Sequence, residues 1–164
     1  LKSQRVDMLP KTILEYLTYL NSAYFVRRIR PMDIQGKKQF QIGEKYYFED
    51  LGIRNAIRPF RATDIGQVLE NVVCHHLLVC GYALYIGRDG DKEVDFVAER
   101  NGEKLYVQVA YSVIDPKTHE REFGNLLAIQ DNYPKIVVTM DEVEGVSYQG
   151  IEQVPVRKFL LRWK

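Results

Sequence analysis

An α+β protein with a mixed sheet follows from three features of the sequence. Two strand-like runs, Glu93 to Arg100 and Glu103 to Ser112, meet at Asn101-Gly102. A β-branched run, Lys135 to Met140 (KIVVTM), is separated from them by a helical stretch that Asp115 and Pro116 open, and a helix between two strands sets them parallel. A helix-period stretch begins at Asp64, where Gln67 stands in the position of a capping box. From there the predicted order is helix, three strands, helix, strand.

The elements follow in chain order. Lys11 to Asn21 repeats apolar residues at Ile13, Leu14, Leu17 and Leu20, a helical spacing. Tyr24 to Arg30 reads as a strand, Pro31 to Lys38 as a polar turn and Gln39 to Phe48 as the returning strand. A helix followed by a two-stranded wing is the back half of a winged-helix unit, with Lys11 and Thr12 opening the helix that would face DNA and Arg27, Arg28, Arg30, Lys37 and Lys38 on the wing. In the helix from Asp64, one apolar stripe runs from Ile65 through Leu69, Val73 and Leu77 to Cys80, and Gly81 ends it. Tyr82 to Arg88 is a strand closed by the turn Asp89-Gly90-Asp91. Phe123, Leu126, Leu127 and Gln130 mark the inner face of the next helix, which Tyr133-Pro134 ends. A strand near Ile151 and a short helix with Phe159, Leu160 and Trp163 close the chain. The division expected is a partial winged-helix segment over 1–62 and a second domain over 63–164.

Asn-Gly suits a type I′ hairpin turn because both residues tolerate positive φ. That turn pairs Arg100 with Glu103, Glu99 with Lys104, Val97 with Tyr106, Asp95 with Gln108 and Glu93 with Ala110. Asp95 and Gln108 are then expected directly opposite on one face, with Cβ atoms about 5 Å apart. At that distance two side chains can share a metal ion or a hydrogen bond, and a slip of one residue would part them.

Composition bounds the function. With 164 residues, 46% of them hydrophobic, the chain can build a sizeable core. Charges break the apolar runs short of a membrane span and no secretory leader opens the chain, so a cytoplasmic location without membrane contact is expected. The start at Leu1 rather than a methionine reads as a piece of something longer. Residues 1–62 carry 12 Lys+Arg against 6 Asp+Glu, and residues 63–164 carry 11 against 16. A basic front hints at contact with a polyanion such as DNA.

Cys74, His75, His76 and Cys80 share one helix, on which consecutive residues point about 100° apart, so they do not converge on one zinc ion. Packing in the core is expected for the cysteines and His76. No phosphate-binding glycine loop, G-x-S-x-G elbow or H-E-x-x-H pair occurs.

The phrases KYYFEDLGIRNA (Lys45 to Ala56), GQVLEN (Gly66 to Asn71), EVDFV (Glu93 to Val97), QVAYS (Gln108 to Ser112), the T-x-x-R-E of Thr118 to Glu122, and YPK followed by VTMD (Tyr133 to Asp141) span nearly the whole chain. Together with the element order they resemble the restriction-endonuclease-like PD-(D/E)-x-K superfamily. The closer likeness is to a domain of unknown function, family 4143, that follows an AAA-type ATPase module in many bacterial and archaeal proteins. In active members of the superfamily a helix Glu, a strand Asp and the Glu of E-x-K hold Mg²⁺, and the Lys orients or activates water. The resemblance assigns the helix Glu to Glu70 and the strand Asp to Asp95, with Gln108 in place of the second-strand Glu and Ala110 in place of the Lys. Mg²⁺ binding leans on carboxylates, so Glu70, Asp95 and Gln108 are expected to form a remnant catalytic site, with any metal at Asp95 and Glu70. Lys104 stands four residues from Gln108, roughly 13 Å along the strand, too far to replace the lost lysine. The resemblance implies a non-catalytic accessory domain that binds DNA and follows an upstream ATPase module, where ATP would bind. The alternatives are a Mg²⁺-dependent DNA endonuclease with a cation supplied by Lys117 or Arg121, and a protein-interaction module without nucleic acid.

Overall fold

The computed structural model describes residues 9–36, 43–143 and 145–162. In chain order the elements are α1 (Pro10–Ser22), β1 (Val26–Asp33), β2 (Lys45–Phe48), α2 (Leu51–Ile57) and, after a 3₁₀ turn at Ala62–Asp64, α3 (Ile65–Val79). They continue with β3 (Ala83–Asp89), β4 (Lys92–Arg100), β5 (Glu103–Ala110), α4 (Pro116–Leu127), β6 (Lys135–Thr139), β7 (Ser147–Tyr148), β8 (Ile151–Pro155) and α5 (Val156–Arg162). Among the described residues eight strands form one mixed sheet in the order β2-β1-β3-β4-β5-β6-β8-β7. None of the described helices is long and apolar enough to cross a membrane.

The expected mixed sheet is present, and the central hairpin forms as its turn chemistry dictates. Asn101 and Gly102 both take positive φ, 54° and 82°, and the ladder pairs Arg100 with Glu103, Glu99 with Lys104 and Val97 with Tyr106. Asp115 caps α4 by accepting from the Thr118 N–H at 2.9 Å, and β5 and β6 on either side of that helix are parallel. The helix ends at Leu127 rather than running on to Tyr133, which leaves Gln130 outside it. β7, which pairs antiparallel with β8, was not anticipated.

The sheet crosses the boundary expected between residues 62 and 63. β1 and β2 pair antiparallel as a wing hairpin would, but β1 also pairs in parallel with β3. Burial explains the attachment: Ile29 of β1 and Tyr47 of β2 enter the same apolar cluster as Leu69, Val73 and Leu77 of α3, and a hairpin with an apolar face is stable only when that face is covered. The α2 helix went unread in the sequence, although Asp50 caps it through the Ile53 N–H. Asp64 makes no cap bond to α3. Its buried carboxylate instead accepts from Arg54 at 3.0 Å, which ties α2 to the start of α3. An acid facing a buried guanidinium is better satisfied there than at a helix terminus.

Helices cover both faces of the sheet. On one, α3 and α5 pack on Ile86, Phe96, Ala98, Leu105 and Val107; on the other, Phe123 and Leu126 of α4 pack on Val94, Val97, Tyr106 and Val137. Val94 and Val97 share a face although they are three residues apart, because β4 bulges between them: Tyr85 pairs with Val97 and Gly87 with Val94. Gly87 lies beside the bulge, paired with Val94, where a Cβ would come within 2.9 Å of both Ile34 Cδ1 and Val97 Cγ2.

Gly87→Ala is therefore expected to lower the free energy of unfolding by roughly 1–3 kcal/mol in urea titration, as overpacking does. In Gly124→Ala the new Cβ meets nothing within 4 Å on α4, and helix propensity should raise stability by up to about 1 kcal/mol.

Candidate functional site

The bulge in β4 decides the geometry of the site. Asp95 and Phe96 together stand opposite Ile86, the residue that the β3–β4 ladder skips. Beyond Phe96 and Val107 the β4–β5 ladder gives out, and the two strands are then joined through side chains. Asp95 Oδ2 accepts from the Val109 N–H at 2.9 Å, and Gln108 Oε1 accepts from the Asp95 N–H at 3.4 Å. A carboxylate and an amide thus take over bonds that backbone groups would otherwise make.

Asp95 and Gln108 do not share a face, contrary to the expectation from the turn register. Asp95 turns toward α3: Lys45 Nζ donates to Asp95 Oδ1 at 3.2 Å and to Glu70 Oε1 on α3 at 2.7 Å. Gln108 stays on the α4 side, where its Nε2 donates to Glu122 Oε2 at 2.8 Å. The extra residue of the bulge reverses the direction that strict alternation assigns to Asp95.

Lys45 is the residue that sequence reasoning missed. Its ammonium reaches a third carboxylate, Glu93 Oε1, at 2.8 Å, while Arg88 holds the other oxygen of Glu93 at 2.7 Å. Burial alone would weaken proton binding by Lys45, but the carboxylates of Asp95 and Glu70 outweigh it and hold the ammonium well above the ordinary lysine range. The expectation that no ammonium stands near Asp95 is thus corrected: β2 delivers one from the edge of the sheet. The signal in the sequence was the spacing of Lys45 and Tyr47, which share a strand face. Tyr47 is buried and its hydroxyl donates to Glu70 Oε1; burial and the Glu70 charge push the phenol up.

Among the described residues no strand lies on the outer side of β2, and side chains of α3 support it. Asn71, buried beside Glu70, accepts from the Phe48 N–H and donates to the Phe48 carbonyl, both at 2.9 Å. His75 Nε2 lies 2.7 Å from the same carbonyl. Of the cysteine and histidine group, Cys74 is buried and the His76 ring meets Phe159 edge-on, as expected, whereas Cys80 at the end of α3 is only half-buried.

A cleft of about 590 Å³ opens here, and its lining includes Glu70, Glu93, Asp95, Gln108, Arg121 and Glu122. Arg121 is largely exposed and pairs with Glu122. Lys117 is on the first turn of α4 and outside the cleft. Asp95 is raised to about 7, first by burial and then by the neighbouring Glu70 charge, against which Lys45 and the Val109 N–H pull down.

The oxygen donors of Glu70, Glu93 and Asp95 are the right type for Mg²⁺, but their arrangement does not suit it. Lys45 sits within hydrogen-bond distance of all three, Gln108 faces the other helix, and among the described residues no three His, Cys, Asp or Glu side chains are grouped to hold a metal.

The residues expected to meet nucleic acid are scattered along the front of the chain. Lys11 and Thr12 are in the first turn of α1 and Arg30 is exposed on β1. Arg27 pairs with Glu49 at 2.9 Å and Arg28 with Glu44 at 3.7 Å. Lys37 and Lys38 lie outside the described residues.

Fold and site together define a mixed-sheet α+β protein in which three carboxylates, Asp95 buried and Glu70 and Glu93 half-buried, are gathered around a lysine of its own edge strand. The chain belongs to the family described as Domain of unknown function (DUF4143), whose family model matches residues 65–159. A protein of Haemophilus influenzae named "Uncharacterized protein" is 37% identical over 162 residues, covering 99% of this chain and 40% of that protein. The chain therefore spans well under half the length of that relative. No solved structure matches it.

Titration of Asp95 yields a directional test. A carboxyl raised from 3.8 to about 7 keeps in the folded state a proton that the unfolded chain releases, so the stability it contributes is full below about 4 and is lost as pH rises toward 7. Thermal unfolding of Asp95→Asn across pH 5 to 7 should show the variant gaining on the wild type as pH rises. Parallel curves would assign the titration elsewhere.

Proposed function

We propose that the chain is a non-catalytic, nuclease-like accessory domain that binds nucleic acid within a larger AAA-type ATPase. One observation carries the non-catalytic part: each of three carboxylates at the remnant site is engaged by the Lys45 ammonium. A lysine held as an ammonium in this way has no lone pair with which to take a proton from water. Ala110 stands where the resemblance places the catalytic lysine, and Gln108 is already bonded to Glu122 and to the Asp95 backbone.

The resemblance in the sequence phrases supports the ATPase context, and the length of the Haemophilus relative leaves room for a further module. Support for nucleic acid comes from the surplus of basic residues in 1–62, of which Lys11 and Arg30 are exposed. The acidic cleft would repel phosphates, so a polyanion would approach from α1 and β1 instead. A second reading, a Mg²⁺-dependent endonuclease with a relocated lysine, draws on the closeness of Lys45 to Asp95 and Glu70.

Fluorescence anisotropy with labelled duplex DNA is expected to show affinity that falls steeply between 50 and 200 mM salt, about tenfold or more when several phosphates are neutralised. Replacing Lys11 and Arg30 with Ala should reduce the salt slope by about one for each phosphate left without its cation. Binding that is absent, or indifferent to salt, would sink the nucleic-acid assignment. Supercoiled plasmid incubated with Mg²⁺ or Mn²⁺ should stay intact. Cleavage by the wild type but not by Asp95→Ala would instead establish the endonuclease.

A further inference from the structure

We propose that Lys45 is a tethered substitute for a divalent cation: its ammonium occupies the position on which Glu70, Glu93 and Asp95 converge, and by occupying it excludes a metal ion. The inference rests on the non-catalytic reading of the site and gives that reading its physical cause.

Among the described residues, the three carboxylates are gathered around the ammonium, in an arrangement that with Lys45 in place holds no metal. Three oxygens from three carboxylates lie 2.7, 2.8 and 3.2 Å from one nitrogen. An ammonium has three N–H donors and no acceptor, so these bonds use its whole capacity. The ligands come from the inner face of α3 and the bulged segment of β4, and the cation comes from neither. It arrives on β2, which Asn71 and His75 fix to α3 through the Phe48 backbone, so Lys45 is aimed by the fold and does not merely happen to lie near. A divalent ion entering the same position would meet a fixed positive charge at van der Waals distance and would have to displace it. The tether also gives Lys45 an advantage of effective concentration that an ion in solution lacks. Without Lys45 the three carboxylates would repel one another in a site where solvent screens them poorly, and a hard divalent cation would relieve that repulsion.

Isothermal titration with Mn²⁺ tests the proposal on the protein as it stands. Lys45→Met is expected to bind Mn²⁺ at one site, at least about tenfold more tightly than the wild type, and to gain thermal stability on adding it. Lys45→Arg, which keeps a cation in place, should behave as the wild type does, and Asp95→Asn added to Lys45→Met should abolish the gain. Folded Lys45→Met that takes up no more Mn²⁺ than the wild type would overturn the proposal. The wild type supplies an arm that needs no variant to fold: the amide resonances of Phe96 and Val109, next to Asp95, should stay sharp with Mn²⁺ in solution. Selective broadening of those two signals would show metal entering beside Lys45 and would overturn it equally. Plasmid cleavage separates the two levels, since metal uptake by the wild type without cleavage removes only the tethered cation, whereas cleavage removes the non-catalytic reading itself.

Discussion

Three carboxylates reach toward one point in the half-buried centre of this protein, and one ammonium lets them do so. Glu70 projects from α3, Glu93 and Asp95 from β4, and Lys45 Nζ touches all three. Like charges so close repel strongly wherever solvent is partly excluded, so the arrangement requires a cation from somewhere. The edge strand β2 supplies it, and the requirement propagates outward. Tyr47, two residues along, must lie on the same face; its hydroxyl bonds Glu70 and its ring packs 5.6 Å from Phe96, centroid to centroid. Phe48 must then meet Asn71, whose side-chain amide serves β2 as a second strand would. The same interactions balance the charge of the centre and attach the front hairpin.

The bulge at Asp95 and Phe96 makes those interactions possible. In an unbroken ladder Asp95 and Glu93, two residues apart, would both face α4 with Gln108, and the ammonium on the α3 side would find only Glu70. The additional residue turns Asp95 around and parts β4 from β5 at this end, which exposes the Val109 and Asp95 N–H groups. Both are satisfied locally, by the Asp95 carboxylate and the Gln108 amide oxygen. Polar side chains replace a stretch of backbone pairing and leave a cleft open between the strands and α4.

On the α4 side a second, smaller set of charges closes on itself. Glu122 is buried and accepts from Gln108 through one oxygen and from Arg121 through the other. Gln108 thus has its own carboxylate partner, which lies on the face away from Lys45. Two separately neutralised groups stand on opposite faces of the sheet, and each is satisfied by hydrogen bonds inside the protein. Buried polar groups satisfied in this way rigidify a site.

The sequence by itself determined the hairpin turn at Asn101-Gly102, the helix that Asp115 and Pro116 begin, the parallel pairing of β5 with β6, and the nearness of Asp95 to Gln108 across the hairpin. Each of these depends on neighbours in the chain or on a short connection, where turn geometry and side-chain period act directly. Tertiary structure alone decided which way Asp95 faces, that Lys45 joins it, that Asp64 serves Arg54 instead of a helix end, and that β1 and β2 extend the central sheet. A bulge adds a single residue that no local pattern marks, yet it reverses every side chain on its far side, here Glu93, Val94 and Asp95. Lys45 lies 50 residues from Asp95, so their meeting depends on the parallel pairing of β1 with β3, which packing across the whole sheet sets and no local spacing encodes.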